Sequence, residues 1–335
     1  MSTAGEPDAF ADTFVAMAAA RAIIDATRLG VVAALAQERT SAEALARKLG
    51  LDVAGVEALL GALAALGYVR GGEDGRYSPT PAGSQLVPGT PDSVASFVGS
   101  YSAHAWEMLG HLQDALRDRH AAASHRRPAG DPFWESYIRG LFELTRAEHV
   151  HNASLVPADD PRELLDVAGG HGAFAMAMCT RFTRLRATVL DLPASVAVGR
   201  RIVQEEGFAQ RVSFREGDAL REPLGERIDV ISAFNLLHHL DPVDVRRLLE
   251  RVRAALAPAG WLVIGETERV EPGTEPSRAG AMSAVVYFAS SGTRNYTRSE
   301  LVARLGEAGF ADVRVHRNDA SPWRLVYVAL VSPAA

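Results

Sequence analysis

Gly169, Gly170 and Gly172 follow an apolar run in the segment LLDVAGGHGAFA, residues 164–175. Glycines there let a backbone come close to a ligand and take conformations that a Cβ resists. A buried strand that turns through such residues into a helix makes a cradle for a nucleoside cofactor. Residues 170–175 also fit the dinucleotide pattern G-x-G-x-x-G/A, so the turn alone does not choose between cofactors. Three aspartates narrow the chemistry. Asp191, closing the strand in VLDLP, is placed to accept hydrogen bonds from ribose hydroxyls, which serves NAD and S-adenosylmethionine (SAM) alike. Asp218, in EGDAL after the third strand, can receive an adenine amino group. Asp166 precedes the glycines by three positions. It suits a cofactor carrying an ammonium group better than a pyrophosphate, which prefers bare N–H donors and no negative charge. Together these residues favour SAM over NAD.

The elements that must position them alternate. Strands ELLDVA, ATVLD, RVSFR, RIDVISAF and WLVIGE are separated by helical segments, and a late pair, ADVRVHR and RLVYVAL, follows the helix SELVARLGEAG. Such alternation implies an α/β fold with a parallel sheet and helices on both faces. The chain before it differs. Thr40-Ser41-Ala42-Glu43 reads as a capping box with Thr40 as N-cap, opening a helix that stops at Gly50. A second, largely apolar helix ends at Gly67, and YVRGGEDGRYSPTPAG reads as a hairpin around a Gly/Asp turn. Helix, turn, helix, hairpin is a winged-helix pattern. The second helix offers Asp52 and Glu57 and no basic residue before Arg70, so it is ill suited to base edges and phosphates. A dimerisation or lid role is expected instead. Linking helices follow, with a loop at HRRPAGDP, and PADDP (157–161) marks a boundary. The expected division is 1–100, a mainly α winged-helix-like dimerisation domain; 101–156, linking helices forming a lid over the acceptor pocket; and 157–335, the cofactor-binding catalytic domain.

Composition agrees with this division. The chain has 335 residues, 47% hydrophobic and 23% charged, too many for one ordinary core. A formal net charge of −6 suggests no basic face for nucleic acid. The N-terminus has acids and no basic stretch, unlike a secretory signal. Arg21, Asp25 and Arg28 interrupt the Ala-rich stretch 14–36, which therefore reads as a buried or partner-facing helix rather than a membrane span. A single cysteine, Cys179, forms no internal disulfide and points to a reducing cytoplasm. Many arginines beside a single lysine, Lys48, point to a GC-rich bacterial genome.

LLDVAGGHG, VLDLP, EGDAL, NLLHHLD and WLVIGE, in this order and spacing, resemble the plant caffeate-type and bacterial antibiotic (hydroxyindole/acetylserotonin-like) O-methyltransferases. The resemblance covers nearly the whole chain. It implies a Rossmann-like SAM-methyltransferase sheet in the C-terminal half, a winged-helix dimerisation domain before it, SAM as cofactor, a small-molecule acceptor and a homodimer built through the N-terminal helices. It implies cofactor contacts from Asp166, Gly169, Gly170, Gly172, Asp191, Leu192, Asp218, Ala219, Phe234 and Asn235. His238, just past the fourth strand, takes the position of the family's catalytic histidine, and Glu266, ending the fifth strand, that of the glutamate that orients it. A neutral imidazole within reach of a phenol helps remove its proton near neutral pH. His239 is expected to turn to solvent or lie behind its neighbour. Glu268 is a weaker alternative to Glu266.

Two positions depart from the family. The plant enzymes carry a second glutamate where this chain has Asn295, and Glu300 is occupied by a capping box with Thr297. Arg146 lies in the helix FWESYIRGLFELTRAEH, where the family has an apolar residue. An arginine lining the pocket would suit an acceptor carboxylate; the competing expectation is a surface arginine. By position, Phe142, Arg146, Met282, Val286, Ser290 and Asn295 are expected to bind the acceptor, with Trp134 and Phe133 contributing. The expected reaction is O-methylation of a small aromatic acceptor, a carboxylate-bearing one if Arg146 lines the pocket, in bacterial secondary metabolism, such as antibiotic biosynthesis. Other readings stand beside it. One is C-methylation of a 2-oxo acid, with His238, His239 and Glu266 holding a metal. The others are a non-catalytic SAM-binding regulatory protein and an NAD-dependent oxidoreductase.

Overall fold

The computed structural model describes residues 9–118, 125, 127–269, 271, 273–275, 277–318 and 321–331. The first eight residues of the N-terminal stretch read as lacking a secretory signal lie outside the described residues, as does Arg126 of the HRRPAGDP loop. The chain forms two compact units, Met1–His104 and Ala105–Ala335. Of the helices before the large sheet, those over Leu112–Asp118 and Phe133–Ser154 thus fall in the second unit.

The first unit begins with helices α1 (Ala9–Arg28) and α2 (Val31–Gln37), strand β1 (Thr40–Ser41), and helices α3 (Ala42–Leu49) and α4 (Val53–Ala65). The hairpin β2 (Val69–Gly71) and β3 (Arg76–Pro79) and a short helix α5 (Pro81–Ser84) follow. The sheet order is β1-β3-β2. Val31, Val32, Leu35, Leu45, Leu60 and Leu63 build the core of this unit. Gly50 ends α3 in the left-handed region at φ 69°, as its position after the helix requires. The N-cap of α3 is corrected by one residue. Ser41, not Thr40, accepts from Ala44 N, because the strand runs through both residues and the helix begins only at Ala42. Asp52 caps α4 by accepting from Gly55 N at 2.9 Å, so one of the two acids of that helix region is consumed by the backbone.

Helix α6 (Ser102–Leu109) spans the boundary, and α7 (Leu112–Asp118) and the long α8 (Phe133–Ser154) belong to the second unit. Then β4 (Glu163–Val167), α9 (Ala173–Arg181), β5 (Arg186–Asp191), α10 (Pro193–Glu205), β6 (Val212–Glu216), β7 (Ile228–Phe234) and α11 (Pro242–Ala255) alternate. They continue into β8 (Leu256–Thr267), α12 (Arg278–Ser291), α13 (Arg298–Glu307), β9 (Phe310–Asn318) and β10 (Ser321–Val331). Among the described residues these strands form one seven-stranded sheet of order β6-β5-β4-β7-β8-β10-β9. The first five pair in parallel, and β10 enters antiparallel to both β8 and β9. The sheet is therefore mixed at one edge, where the late pair of strands forms a direct antiparallel connection instead of a crossover. Apolar clusters cover it: one includes Leu164, Val189, Met178 and Ile202, the other Leu165, Ile231, Leu248 and Leu262.

β4 pairs with β5 on one side and β7 on the other. The chain leaves those neighbours toward opposite sides, which opens a crevice beyond the carboxyl ends of the strands. Every strand end expected to carry chemistry terminates there.

Candidate active site

Strand β4 delivers Asp166 to the crevice in register with Ser232 of β7. Both side chains are buried, and the Ser232 hydroxyl donates to Asp166 Oδ1 at 2.6 Å. Burial pushes the Asp166 carboxyl up to about 7, against the Ser232 bond and with a further push from Asp191. The chain then leaves the strand under local strain: Ala168 sits at φ 54°, left-handed for a residue with a Cβ. Gly169 has no choice of side chain, since a Cβ there would stand 2.3 Å from Asp166 Oδ2. Gly172 begins α9 at φ 72°. Helix α10 also needs a glycine: a Cβ on Gly199 would come 2.2 Å from the Gly170 carbonyl oxygen.

Asp191 closes the turn from the neighbouring strand. Its Oδ2 accepts from Gly170 N at 2.7 Å and its Oδ1 from Leu192 N at 2.6 Å. Burial raises its carboxyl to about 6, opposed by these two amides and by Ser195. With Ser195 as a third donor, one lone-pair site of the carboxylate stays open to a ligand. Asp218 is fixed through Oδ1 by Leu220 N at 2.9 Å. Phe234, at the end of β7, lies against Gly265, where a Cβ would meet its ring at 2.1 Å. Its ring stands 4.7 Å from those of both His149 and Phe174. Asn235 follows at φ 53°, a left-handed position that asparagine tolerates better than most residues, and its N–H donates to Gly265 O at 2.8 Å.

These groups line one cavity of about 750 Å³. Asp166, Gly169, Gly170, Asp191, Leu192, Asp218, Ala219, Phe234 and Asn235 are on its wall. Gly172 is not: it turns toward Val203, Phe214 and Val189. The wall carries three aspartates and, among the described residues, no lysine or arginine. A cationic cofactor fits that surface and a pyrophosphate does not, since its charge would face carboxylates with no cation to offset them. The glycine backbone leaves room where side chains would intrude. SAM satisfies both conditions.

A short helical turn, Leu237–His239, carries the histidines past β7. His238 is 1% exposed and Glu266 4%. His238 Nδ1 lies 2.6 Å from Glu266 Oε2, while Glu266 Oε1 accepts from Leu237 N at 2.7 Å. His238 Nε2 is buried and has no hydrogen-bond partner among the described residues. The Tyr287 ring stacks on the imidazole at 3.9 Å, and its hydroxyl reaches Thr267 Oγ1 at 3.3 Å. Leu236, His239 and Leu240 line the cavity, and His238 is not on its wall. His239 is thereby corrected: it lines the cavity, where Ser291 at Nδ1 and the His125 ring hold its imidazole.

The acceptor residues expected by position are only partly brought together. Ser290, at the carboxyl end of α12, is on the wall. Met282, two turns back, is 59% exposed, and Val286 is half-buried off the wall. Phe142 packs into the core, its ring 6.0 Å from that of His171. Arg146 is half-buried off the wall with its guanidinium 5.6 Å from the Phe142 ring centroid. The reason is helical: the cavity side of α8 presents Trp134, Tyr137, Ile138, Leu141 and His149, and Arg146 lies well round from that stripe at about 100° per residue. Asn295 is buried off the wall; its Nδ2 donates to Thr267 O at 2.8 Å and its Oδ1 has no partner. Trp134 lines the cavity and Phe133 packs in the core.

Sequence reasoning missed the histidines of this cavity. His125, His149, His171 and His239 all line it. Burial holds His125 and His171 down to about 4 and His149 and His239 well below the usual imidazole value. Only His149, in step with the α8 stripe, carried a signal that spacing could have found. Among the described residues, no three His, Cys, Asp or Glu side chains converge as a metal-binding group.

A family model for the O-methyltransferase domain matches residues 111–311, and one for the O-methyltransferase dimerisation domain matches residues 10–89. The chain is similar to 3-hydroxy-5-methyl-1-naphthoate 3-O-methyltransferase of Streptomyces sahachiroi, 30% identical over 307 residues, 87% of this chain and 86% of that protein. It is equally similar to 3-amino-4-hydroxybenzoate 4-O-methyltransferase of Streptomyces cremeus, 30% identical over 305 residues, 87% of this chain and 81% of that one. In fold it matches human N-acetylserotonin methyltransferase in complex with SAM, with a TM-score of 0.86 at 21% identity, over 99% of this chain and 100% of that one. A mixed sheet of this order with an acidic, glycine-floored crevice defines a SAM-dependent methyltransferase. The chain belongs to the O-methyltransferase family, and its cofactor is SAM. No helix among the described residues is long and apolar enough to cross a membrane.

Proposed function

We propose that this enzyme methylates a hydroxyl of a small aromatic acceptor, with His238 as general base and Glu266 as the residue that orients it. The observation that carries this reading is the 2.6 Å contact between His238 Nδ1 and Glu266, which leaves His238 Nε2 without a partner. Glu266 accepts the Nδ1 proton, so the lone pair of the neutral ring stands on Nε2. Its second oxygen is held by Leu237 N, which stops the carboxylate from rotating. SAM, when bound, supplies a methyl group already activated by its sulfonium. The protein's task is to align the acceptor oxygen and take its proton at Nε2. A phenol, with a pKa near 10, loses its proton readily only as the new bond forms, so a base in contact is effective there. The imidazolium that results is stabilised by Glu266.

On this reading Asp191 receives the ribose hydroxyls, Asp218 with Ala219 the adenine, and Asp166 the ammonium group. Leu192, Phe234 and Asn235 close the cradle over the Gly169–Gly170 backbone. Trp134, Tyr137, Ile138 and Leu141 of α8, with Ser290, form the acceptor end. The two Streptomyces relatives are named for a hydroxynaphthoate and an aminohydroxybenzoate. They support a hydroxy-aromatic acid as acceptor, in secondary metabolism; Arg146, off the wall, is not placed to hold its carboxylate. The match to a dimerisation domain, with Phe10 89% and Phe14 67% exposed on α1, supports a homodimer. The single thiol, Cys179, buried and free, supports a cytoplasmic setting.

The test is methyl transfer from labelled SAM to a panel of phenols, hydroxy acids and 2-oxo acids. Label is expected on the oxygen of a hydroxy-aromatic compound. Label on the carbon of an oxo acid, or transfer to none of them, overturns the reading.

Cofactor affinity also carries a pH signature. Asp166 and Asp191 have carboxyls raised to about 7 and about 6. A cationic ligand favours their ionised forms, so SAM binding releases protons where the free protein holds them. Affinity is expected to be level above about pH 7.5 and to weaken as pH falls from 7 to 5. Calorimetry in buffers of different ionisation enthalpy should show proton release near pH 6.5. In the free protein the same raised values stabilise the fold at low pH, and that contribution is lost as pH rises through 6 to 7.

A further inference from the structure

We infer that Tyr287 is a positioning residue for the methyl transfer: its ring lies flat on His238, aims Nε2, and stabilises the imidazolium formed when the acceptor gives up its proton. The inference rests on His238 as the base and adds a residue that acts through it.

Tyr287, half-buried on α12, is not on the cavity wall. Its contacts are with the base and the strand behind it. Its ring and the imidazole are 3.9 Å apart between centroids and 21° from parallel. Its hydroxyl is 3.3 Å from Oγ1 of Thr267, the buried residue that follows Glu266 in β8. The end of β8 thus supports His238 twice. Glu266 Oε2 holds the ring edge at Nδ1, and Thr267 steadies the aromatic ring that covers the ring face. Thr293, just past α12, donates its hydroxyl to the His238 carbonyl and ties the backbone of the turn to the same helix end.

Glu266 alone does not fix the imidazole. One hydrogen bond at Nδ1 leaves the ring free to tilt about that atom, since the second side-chain torsion of histidine is broad. A tilt swings Nε2 away from the acceptor oxygen, and proton transfer needs hydrogen-bond contact. A flat aromatic face against the ring removes that freedom. The same face answers charge. Taking the proton makes His238 a cation, and a cation over an aromatic face is attracted by the negative charge of that face, most strongly away from water. The other titratable groups around the ring are Glu266 at Nδ1 and His239, whose centroid is 4.2 Å away, with His125 packed on His239 at 4.5 Å. Burial holds His239 well below the usual imidazole value and His125 down to about 4, so neither adds charge near neutral pH. The new cation is met by Glu266 in its plane and by Tyr287 on its face.

The experiment varies that face at nearly constant shape. Position 287 is made phenylalanine, then phenylalanine with two and with five ring fluorines, which withdraw negative charge from the face in steps. Tyr287→Leu removes the ring. Single-turnover rates with labelled SAM are followed from about pH 5 to 9, with the panel compound that wild type labels fastest. Without the face the base is weaker, so in Tyr287→Leu the rise of rate with pH should move down by about half a unit to one unit, and the plateau rate should fall about tenfold. The five-fluorine protein, whose ring still blocks tilting, should show the shift with a smaller fall. Tyr287→Phe, which gives up only the Thr267 contact, should recover most of both losses. Unchanged midpoint and plateau in Tyr287→Leu overturn the inference. So does a loss that Tyr287→Phe does not recover, or a midpoint that stays put across the fluorine series, which would leave Tyr287 as packing alone. If Tyr287→Leu does not fold, the fluorine series decides by itself. The base reading fails separately, if His238→Ala keeps its turnover or no panel compound is labelled, and this inference then falls with it.

Discussion

His238→Ala lowers kcat for the hydroxy-aromatic acceptor by about 10² to 10⁴-fold, the usual worth of a positioned general base. The dissociation constant for SAM, measured by calorimetry, stays within about threefold of wild type, because the imidazole is not on the wall of the cradle. The residual rate should rise with pH toward the pKa of the acceptor, since an already ionised phenol needs no base. Wild type should show a flatter profile over the same range. The effect has a structural reason. His238 Nε2 is buried and has no hydrogen-bond partner among the described residues, so no group of the protein competes for its lone pair. Removal of the imidazole leaves Glu266 buried at 4% exposure with one partner missing, so the variant should also be less stable. A melting measurement separates that loss from the chemical one. A variant that folds, binds SAM and retains more than a tenth of wild-type kcat would remove His238 from the proton-transfer step.

Asp191→Ala has the second large effect, and it falls on binding. The carboxylate holds the glycine turn through Gly170 N and caps the next helix through Leu192 N. It also offers its remaining lone pair to the ribose. A hydrogen bond to a charged group contributes about 1.5–3 kcal/mol, so loss of the ribose contact should weaken SAM by roughly 10 to 10²-fold. Thermal stabilisation by SAM should shrink accordingly at fixed cofactor concentration. Asp191→Asn separates the two roles. Its carbonyl oxygen can still accept from one backbone amide, so the turn should hold better while ribose binding remains weak. If the alanine variant binds SAM within threefold of wild type, Asp191 is only a structural brace for the turn.

Much of this site is legible along the chain because its parts lie where one strand ends. Gly169, Gly170, Asp191, Asp218 and Phe234 each follow a recognisable apolar run, and strand ends meet at one edge of an open parallel sheet wherever they occur. The left-handed glycines could be read from residue type alone, since only glycine takes such turns at little cost. The capping box at Thr297 and Glu300 and the helix stop at Gly50 are local in the same way. Thr40 misled because pairing of Thr40 and Ser41 with Tyr77 and Arg76, far along the chain, extends the strand and delays the helix start to Ala42.

The acceptor end was legible only in part. Arg146, Met282 and Val286 sit on helices, and a helix assigns residues to a face only once its partner is known. The rotation of α8 put Tyr137, Leu141 and His149 on the wall and carried Arg146 away from it. His125, His149, His171 and His239 come from four separate segments, so no spacing could announce that they meet.

By itself, then, the order of residues determined the class of chemistry: a glycine turn flanked by aspartates at successive strand ends, followed by a histidine and a glutamate. Those features depend on backbone geometry within a few residues or on the fixed period of a strand. Tertiary structure alone decided which of two adjacent histidines is sealed against Glu266 and which lines the cavity. That choice depends on long-range packing of Tyr287 and Ser291 against the turn at residues 237–239, and on burial, which sets whether an imidazole there is charged or neutral.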